Sequence, residues 1–317
     1  RLLYYTMLCK FFLLICLIFG IQCVKFTPVC TFDSGIITED FYEVASINNP
    51  NSILVFGLTS LSPGDVVLLV QMQDGTINTA TNNNYGKGDG TGRGYISSGA
   101  AGEYEFHVVS TIAGVDDTTV TFEQDMNVTF SVSASARVQL ITIPYCGTSI
   151  ISSDISVIPW NGKIGGVIAL LTHEIVIDGN INVKGKGFRG GEEMTLSASG
   201  GEAVSGVQNN YADDTCHLEN QLRNNAPKGE GFIGSPEING ATTTYPDGND
   251  CARGSPGNAG GGGNYRDTGG GGGSNAGKGG YGRWFDNGNP ETLSGVGANE
   301  APYDPAHLFL GKLYSSN

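Results

Sequence analysis

Two stretches of the chain have the spacing Gly-x-Gly-x-x-Gly, Gly185 to Gly190 and Gly277 to Gly282. In a nucleotide-binding protein this spacing lets a tight turn approach a pyrophosphate. That chemistry needs a helix N-terminus behind the glycines, inside a strand–helix–strand unit, to receive the negative charge. Neither stretch is followed by helical periodicity, so both read as accidental matches in a Gly-rich chain. Gly272 to Lys278 approaches the phosphate-binding loop, but Gly279 stands where Ser or Thr must ligate magnesium. Asp247-Gly-Asn249-Asp250 is acidic without the alternate-ligand spacing of a calcium loop, and a β-turn beside Cys251 is the plainer reading. Lys87-Gly88-Asp89, a tripeptide that some adhesion ligands use, reads as a turn in a Gly-rich loop.

Nucleophilic catalysis has no signature here, because no Gly-x-Ser-x-Gly elbow occurs. The histidines are His107, His173, His217 and His307, scattered along the chain with no metal-like spacing. His107 and His173 fall within expected strands, which suggests structural roles. Acidic pairs occur at Asp116-Asp117, Glu192-Glu193 and Asp213-Asp214. A polysaccharide hydrolase or lyase would need two carboxylates brought to a working distance, and their spacing in sequence does not supply that. The expectation is a protein without catalytic activity and without a resident cofactor.

The cysteines point to an oxidising compartment. Cys9, Cys16 and Cys23 fall in an N-terminal leader, which leaves Cys30, Cys146, Cys216 and Cys251. Four cysteines in an exported chain suggest two disulfides, with three connectivities open. The favoured pairing is Cys30–Cys146, tying together the ends of one compact region, with Cys216–Cys251 closing a long polar loop. No Cys-x-x-Cys occurs, so a zinc site is not expected. Asn127-Val128-Thr129 is a glycosylation sequon.

The leader itself is residues 1–23. Lys10 precedes an unbroken apolar run, Phe11 to Ile21, the pattern of a secretory signal peptide. That run is shorter than the about 20 apolar residues a bilayer span takes. Residues 1–6 read as translated upstream sequence, with Met7 as the start. The net charge of −14 becomes −16 once Arg1 and Lys10 leave with the leader. An acidic excess argues against nucleic acid and anionic membrane partners, and it suits calcium, mineral surfaces or basic proteins.

Two regions differ in pattern. Residues 24–147 read as an antiparallel β barrel or sandwich. Its strands are expected at Ser52–Gly57, Val66–Gln73, Glu103–Ser110, Thr118–Phe122, Asn127–Val132 and Arg137–Ile143. All are period-two or β-branched runs bounded by turn residues. The segment Asp74 to Ala101 is a long polar loop between two of them. Residues 148–317 read as a short parallel β-solenoid with long Gly-rich loops, either capped by the first region or continuing past Asn317. Here Val167–Ile177 and Asn180–Lys184 are short β stretches separated by tight Gly, Asn and Asp turns. Gly185 to Gly297 holds 30 of the 49 glycines, so this tract is either flexible or close-packed through its backbone. Ala306–Gly311 reads as one more short strand.

The segments Leu61–Gln73, Arg137–Pro144, Trp160–Leu170 and Asp178–Gly191, with the Gly-rich tract after them, resemble a family of secreted Gly-rich surface proteins of gliding and predatory bacteria. They are also similar to the non-acidic portion shared by the acid-rich skeletal organic matrix proteins of stony corals. The resemblance implies a secreted extracellular matrix protein of a calcified skeleton. Its partners would be calcium or mineral surfaces and other matrix proteins or polysaccharides, with self-association. The long Asp tracts of the coral proteins are missing, so calcium binding here would be diffuse. The alternatives are a β-solenoid protein that binds or cleaves polysaccharide, with Trp160, Tyr265, Tyr281 or Trp284 lining a groove, and an adhesin-like surface protein.

Overall fold

The structure, a computed structural model, describes residues 25, 27–33, 35–37, 40–74, 76–77, 95–114, 117–133, 135–190, 229–234, 259–260 and 271–273. The leader, Lys87 to Asp89, Cys216, Cys251, Gly277 to Gly282 and Ala306 to Gly311 lie outside the described residues. Thirteen strands and no helix occur among those described. They are β1 (Thr27–Phe32), β2 (Gly35–Ile36), β3 (Phe41–Asn49), β4 (Ser52–Phe56), β5 (Val66–Gln73), β6 (Thr76–Ile77), β7 (Tyr95–Ser97), β8 (Tyr104–Ala113), β9 (Asp117–Phe122), β10 (Arg137–Ile143), β11 (Tyr145–Ile151), β12 (Ile155–Ser156) and β13 (Leu171–Ile177).

Six of these close an antiparallel barrel in the order β10-β3-β4-β9-β8-β5, which removes every free edge from this unit. The expected alternation decides which side chains enter it. Tyr42, Val44, Ile53, Val55, Val67, Leu69, Val109, Val120, Phe122, Val138 and Leu140 fill the interior. The pair β5–β10 is different, because both of its faces are covered. Leu68, Val70 and Met72 from β5 and Ile141 and Ile143 from β10 point outward against Val157, Trp160 and Val167. That is why Val66–Gln73 is buried at every position, and why its first five residues, Val66 to Val70, are continuously apolar rather than alternating.

The barrel is an excursion between parallel layers. β1 and β13 flank β11 in a three-stranded parallel sheet, and β2 lies parallel to β12. Each layer is a strand, a short corner and a second short segment. The first layer spans 27–37 and the second 145–157, with the barrel between them; the third begins at Leu171. The second and third are in register at a constant step of 26 residues, from Tyr145↔Leu171 to Ile155↔Ile181. Cys30 and Cys146, 116 positions apart in sequence, form a disulfide with Cα atoms 5.9 Å apart, so it closes the loop that holds the whole barrel.

Three local expectations change. Phe41–Asn49 is a barrel strand that the turn-and-run reading passed over. Residues 127–132 are not a strand. Their backbone groups are taken by side chains instead: Glu105 accepts from Asn127 and Val128, and Gln71 bonds Ser131. No ladder partner remains for them, and the segment crosses one end of the barrel with Phe130 packed into the core. Of the run 167–177, only Leu171–Ile177 is strand, since Val167 instead packs on the outer face of β5–β10.

The Gly-rich tract is close-packed at one described point. A Cβ on Gly260 would overlap the carbonyl group of Gly271, so the two backbones meet where only hydrogen fits.

Replacing both Cys30 and Cys146 with Ser should lower unfolding stability by about 2–5 kcal/mol, since the freed unfolded chain regains the entropy of a long loop. Denaturant titration of the two proteins measures this. An unchanged midpoint would show that the parallel pairing of β1 with β11 holds the loop closed without the bond.

Candidate functional site

Polar side chains inside the described structure serve mainly to hold backbone. Gln71 lies in the barrel with no exposure; its Nε2 donates to the carbonyls of Gln73 (2.7 Å) and Ser131 (2.8 Å), and its Oε1 accepts from the Ser131 N–H at 2.8 Å. Gln139 does the same outside the barrel, accepting from the Gly165 N–H at 2.8 Å and donating to its carbonyl at 3.2 Å. A buried primary amide thus replaces a strand partner for one residue each time, which satisfies groups that would otherwise be costly to bury.

A third cluster lies beyond the end of β5. The Gln73 amide donates to the Gly231 carbonyl (2.9 Å), and the Asp74 N–H donates to the Phe232 carbonyl (2.8 Å). Phe232 and Ile233 are buried. Beside them the Glu230 carboxylate, 1% exposed, accepts from the Arg189 backbone N–H at 2.7 Å, from its Nε at 2.9 Å and from a terminal guanidinium nitrogen. Gly162 makes room for this pair, because a Cβ there would stand 2.7 Å from the guanidinium. The hydrogen bond to Glu230, ahead of the cost of burial, raises the Arg189 pKa. Arg189 stays charged at any working pH, so the cluster is a fixed clamp rather than a proton donor.

His107 is inside the barrel wall, stacked on Phe122 with ring centroids 4.5 Å apart, and its Nε2 lies 3.1 Å from a Glu105 oxygen. Burial holds its pKa below the ordinary histidine value, while the hydrogen bond and charge of Glu105 pull the other way. The same Glu105 anchors the backbone of the sequon, leaving Asn127 exposed. Trp160 does not line a groove: it is 2% exposed and packs edge-on against Phe188. Residues 185–190 are turn and bend, with no helix among them to receive a phosphate. Among the described residues, no group of three His, Cys, Asp or Glu side chains is placed to hold a metal ion.

The surface with a regular chemical pattern is that of the parallel layers. On the outer face the pairing stacks Val29, Thr148 and Glu174 in one column and Thr31, Ile150 and Val176 in the next. At one side of this face the Tyr145 hydroxyl lies 3.0 Å from His173 Nε2. At the corner, each layer contributes an exposed carboxylate: Asp33, Asp154 and Asp178. Asp154 Oδ1 accepts from the Asn180 N–H at 3.1 Å and from its amide at 2.7 Å, which ties the second corner to the third. Periodicity in sequence hinted at layers, but only the register shows that residues 33, 154 and 178 share one corner. No protein-family model, curated protein or solved structure matches this chain.

Two measurements probe these groups. A histidine held neutral by burial contributes stability that is present above its ordinary pKa of 6.5. That stability is lost as pH falls, because the unfolded chain binds the proton first. The melting temperature should therefore fall between about pH 7 and pH 5, and His107→Gln should flatten that dependence; an identical slope in both proteins would assign the acid sensitivity elsewhere. Glu230→Ala should cost about 2 kcal/mol through loss of charge-assisted hydrogen bonds, and limited proteolysis should then cut within 229–234.

Proposed function

We propose that this chain is a secreted, acidic, Gly-rich structural protein of an extracellular matrix, belonging to the organic matrix of a calcified skeleton. The observation that carries the reading is the corner of the parallel layers. Three exposed carboxylates come from three successive layers: Asp33 and Asp178 stand at the register position of Ser152, and Asp154 stands two residues further along the same corner. A group of carboxylates on one corner contacts calcium ions, or calcium at a mineral face, several times weakly rather than once tightly. The net charge of −14 adds attraction for cations over the whole surface. The disulfide at Cys30 and Cys146 suits an oxidising, extracellular setting. The likeness of Leu61–Gln73, Trp160–Leu170 and Asp178–Gly191 to coral skeletal matrix proteins supports the same assignment. On this reading the stacked layers are the first coils of a parallel β-solenoid, and the protein works by adsorption and packing, with no catalysis.

A second reading has its own support. The Tyr145–His173 pair stands beside a flat outer face of Thr, Ile and Val, and an aromatic ring at the side of such a face suits stacking on a sugar ring. This favours a polysaccharide as the matrix partner.

The test uses the purified full chain and a variant carrying Asp33→Asn, Asp154→Asn and Asp178→Asn. Adsorption to calcite and the rate of carbonate crystal growth are measured for both. The reading expects the native chain to adsorb and slow growth, and the variant to adsorb at least about threefold more weakly, as expected where surface carboxylates act additively. Equal adsorption by both proteins would remove the corner from the mechanism. No adsorption by either would overturn the mineral role, and binding to insoluble polysaccharide would then identify the partner.

A further inference from the structure

The third layer repeats the second but lacks its cover. In the second layer Ser149, Ile151, Ile155 and Val157 face inward and are all but fully buried. The 26-residue step places Ile175, Ile177, Ile181 and Val183 directly above them. Those four side chains are 45%, 52%, 40% and 47% exposed. A column of aliphatic side chains that is core in one layer is therefore open surface in the next. The backbone of β13 is also unpaired on that side among the described residues. Such an edge accepts another strand readily.

The spacing of the existing layers specifies what fits. Inward positions are separated by two, four and two residues in the second and third layers. In the first they are Cys30, Phe32, Gly35 and Ile37, separated by two, three and two, with a corner one residue shorter. After Gly190, one stretch alone places Val, Ile, Leu or Phe at three of four such positions: Leu308, Leu310 and Leu313, with Ser315 at the fourth. Gly311-Lys312 then falls at the corner, where Asp33-Ser34 stands in the first layer. The register that follows also matches charge. His307 falls beside Glu174, Phe309 beside the exposed Val176, and Lys312 against the corner that carries Asp178.

We propose that residues 306–315 of this chain dock on β13 as a fourth parallel layer, Leu308, Leu310 and Leu313 covering Ile175, Ile177 and Ile181. The docked segment caps the stack and keeps its edge from pairing with another molecule.

Amide hydrogen exchange of the full chain, compared with a variant carrying Leu308→Asp and Leu310→Asp, tests this. The alternate β13 amides that point away from β11 should exchange at least about tenfold faster in the variant, as local opening predicts, while the β5 amides stay unchanged. Equal β13 exchange in both proteins overturns the proposal. So does protection that rises with protein concentration together with a dimer mass, because a second copy then covers the edge. The unsubstituted chain provides an independent check that needs no variant to fold. A carbodiimide should join Lys312 to Asp178 within one molecule, and a chain that gives no such link, or gives it only between isotopically distinct copies, overturns the proposal.

Discussion

One seam holds the molecule together. Strands β5 and β10 pair over seven positions, and each contributes apolar side chains to both faces. Their inward residues are the wall of the barrel core. Their outward residues are the floor on which residues 157–171 lie, and that strap leads directly into the third layer. An apolar strand buried on both sides can accept neither water nor a charge on either face. The barrel and the layers are therefore joined through this seam, and two polar side chains it carries, Gln71 inward and Gln139 outward, are both paired with backbone groups.

The seam also explains how a barrel can sit inside a parallel stack. The chain leaves the first layer after Ile37, builds a closed barrel, and returns at Tyr145 beside the strand it left. Such an arrangement places long-range contacts early, with a large loop-closure cost. The disulfide between Cys30 and Cys146 spans that loop. Because a barrel has no free edge, it adds no competing strand to the stack beside it. The layers can then continue at their own 26-residue step without interference.

Three buried polar side chains share one role. Gln71, Gln139 and Glu230 each hold the backbone of one residue in an irregular segment, Ser131, Gly165 and Arg189 respectively. Irregular backbone near a core must have its N–H and C=O groups satisfied. Here side chains do what a neighbouring strand would otherwise do. At the corner Asp154 does the same for Asn180, while Asp33, Glu174 and Asp178 are exposed to solvent.

The sequence by itself determined the local elements. Val66–Gln73 and Arg137–Ile143 are strands at the residues their patterns specify, because β-branched and apolar runs between turns have one good backbone solution. It also pointed to Cys30 with Cys146, since both stand at the ends of one patterned region. It misread 127–132, where an alternating run resembles a strand but its hydrogen bonds go to Glu105 and Gln71, residues distant in sequence. It offered Trp160 as a groove residue, though its ring is core. Tertiary structure alone decided that Asp33, Asp154 and Asp178 share a corner and that Ile175, Ile177, Ile181 and Val183 form an open column. The physical reason is that both facts depend on register between segments separated by 26 to about 120 residues, and no local pattern encodes a register.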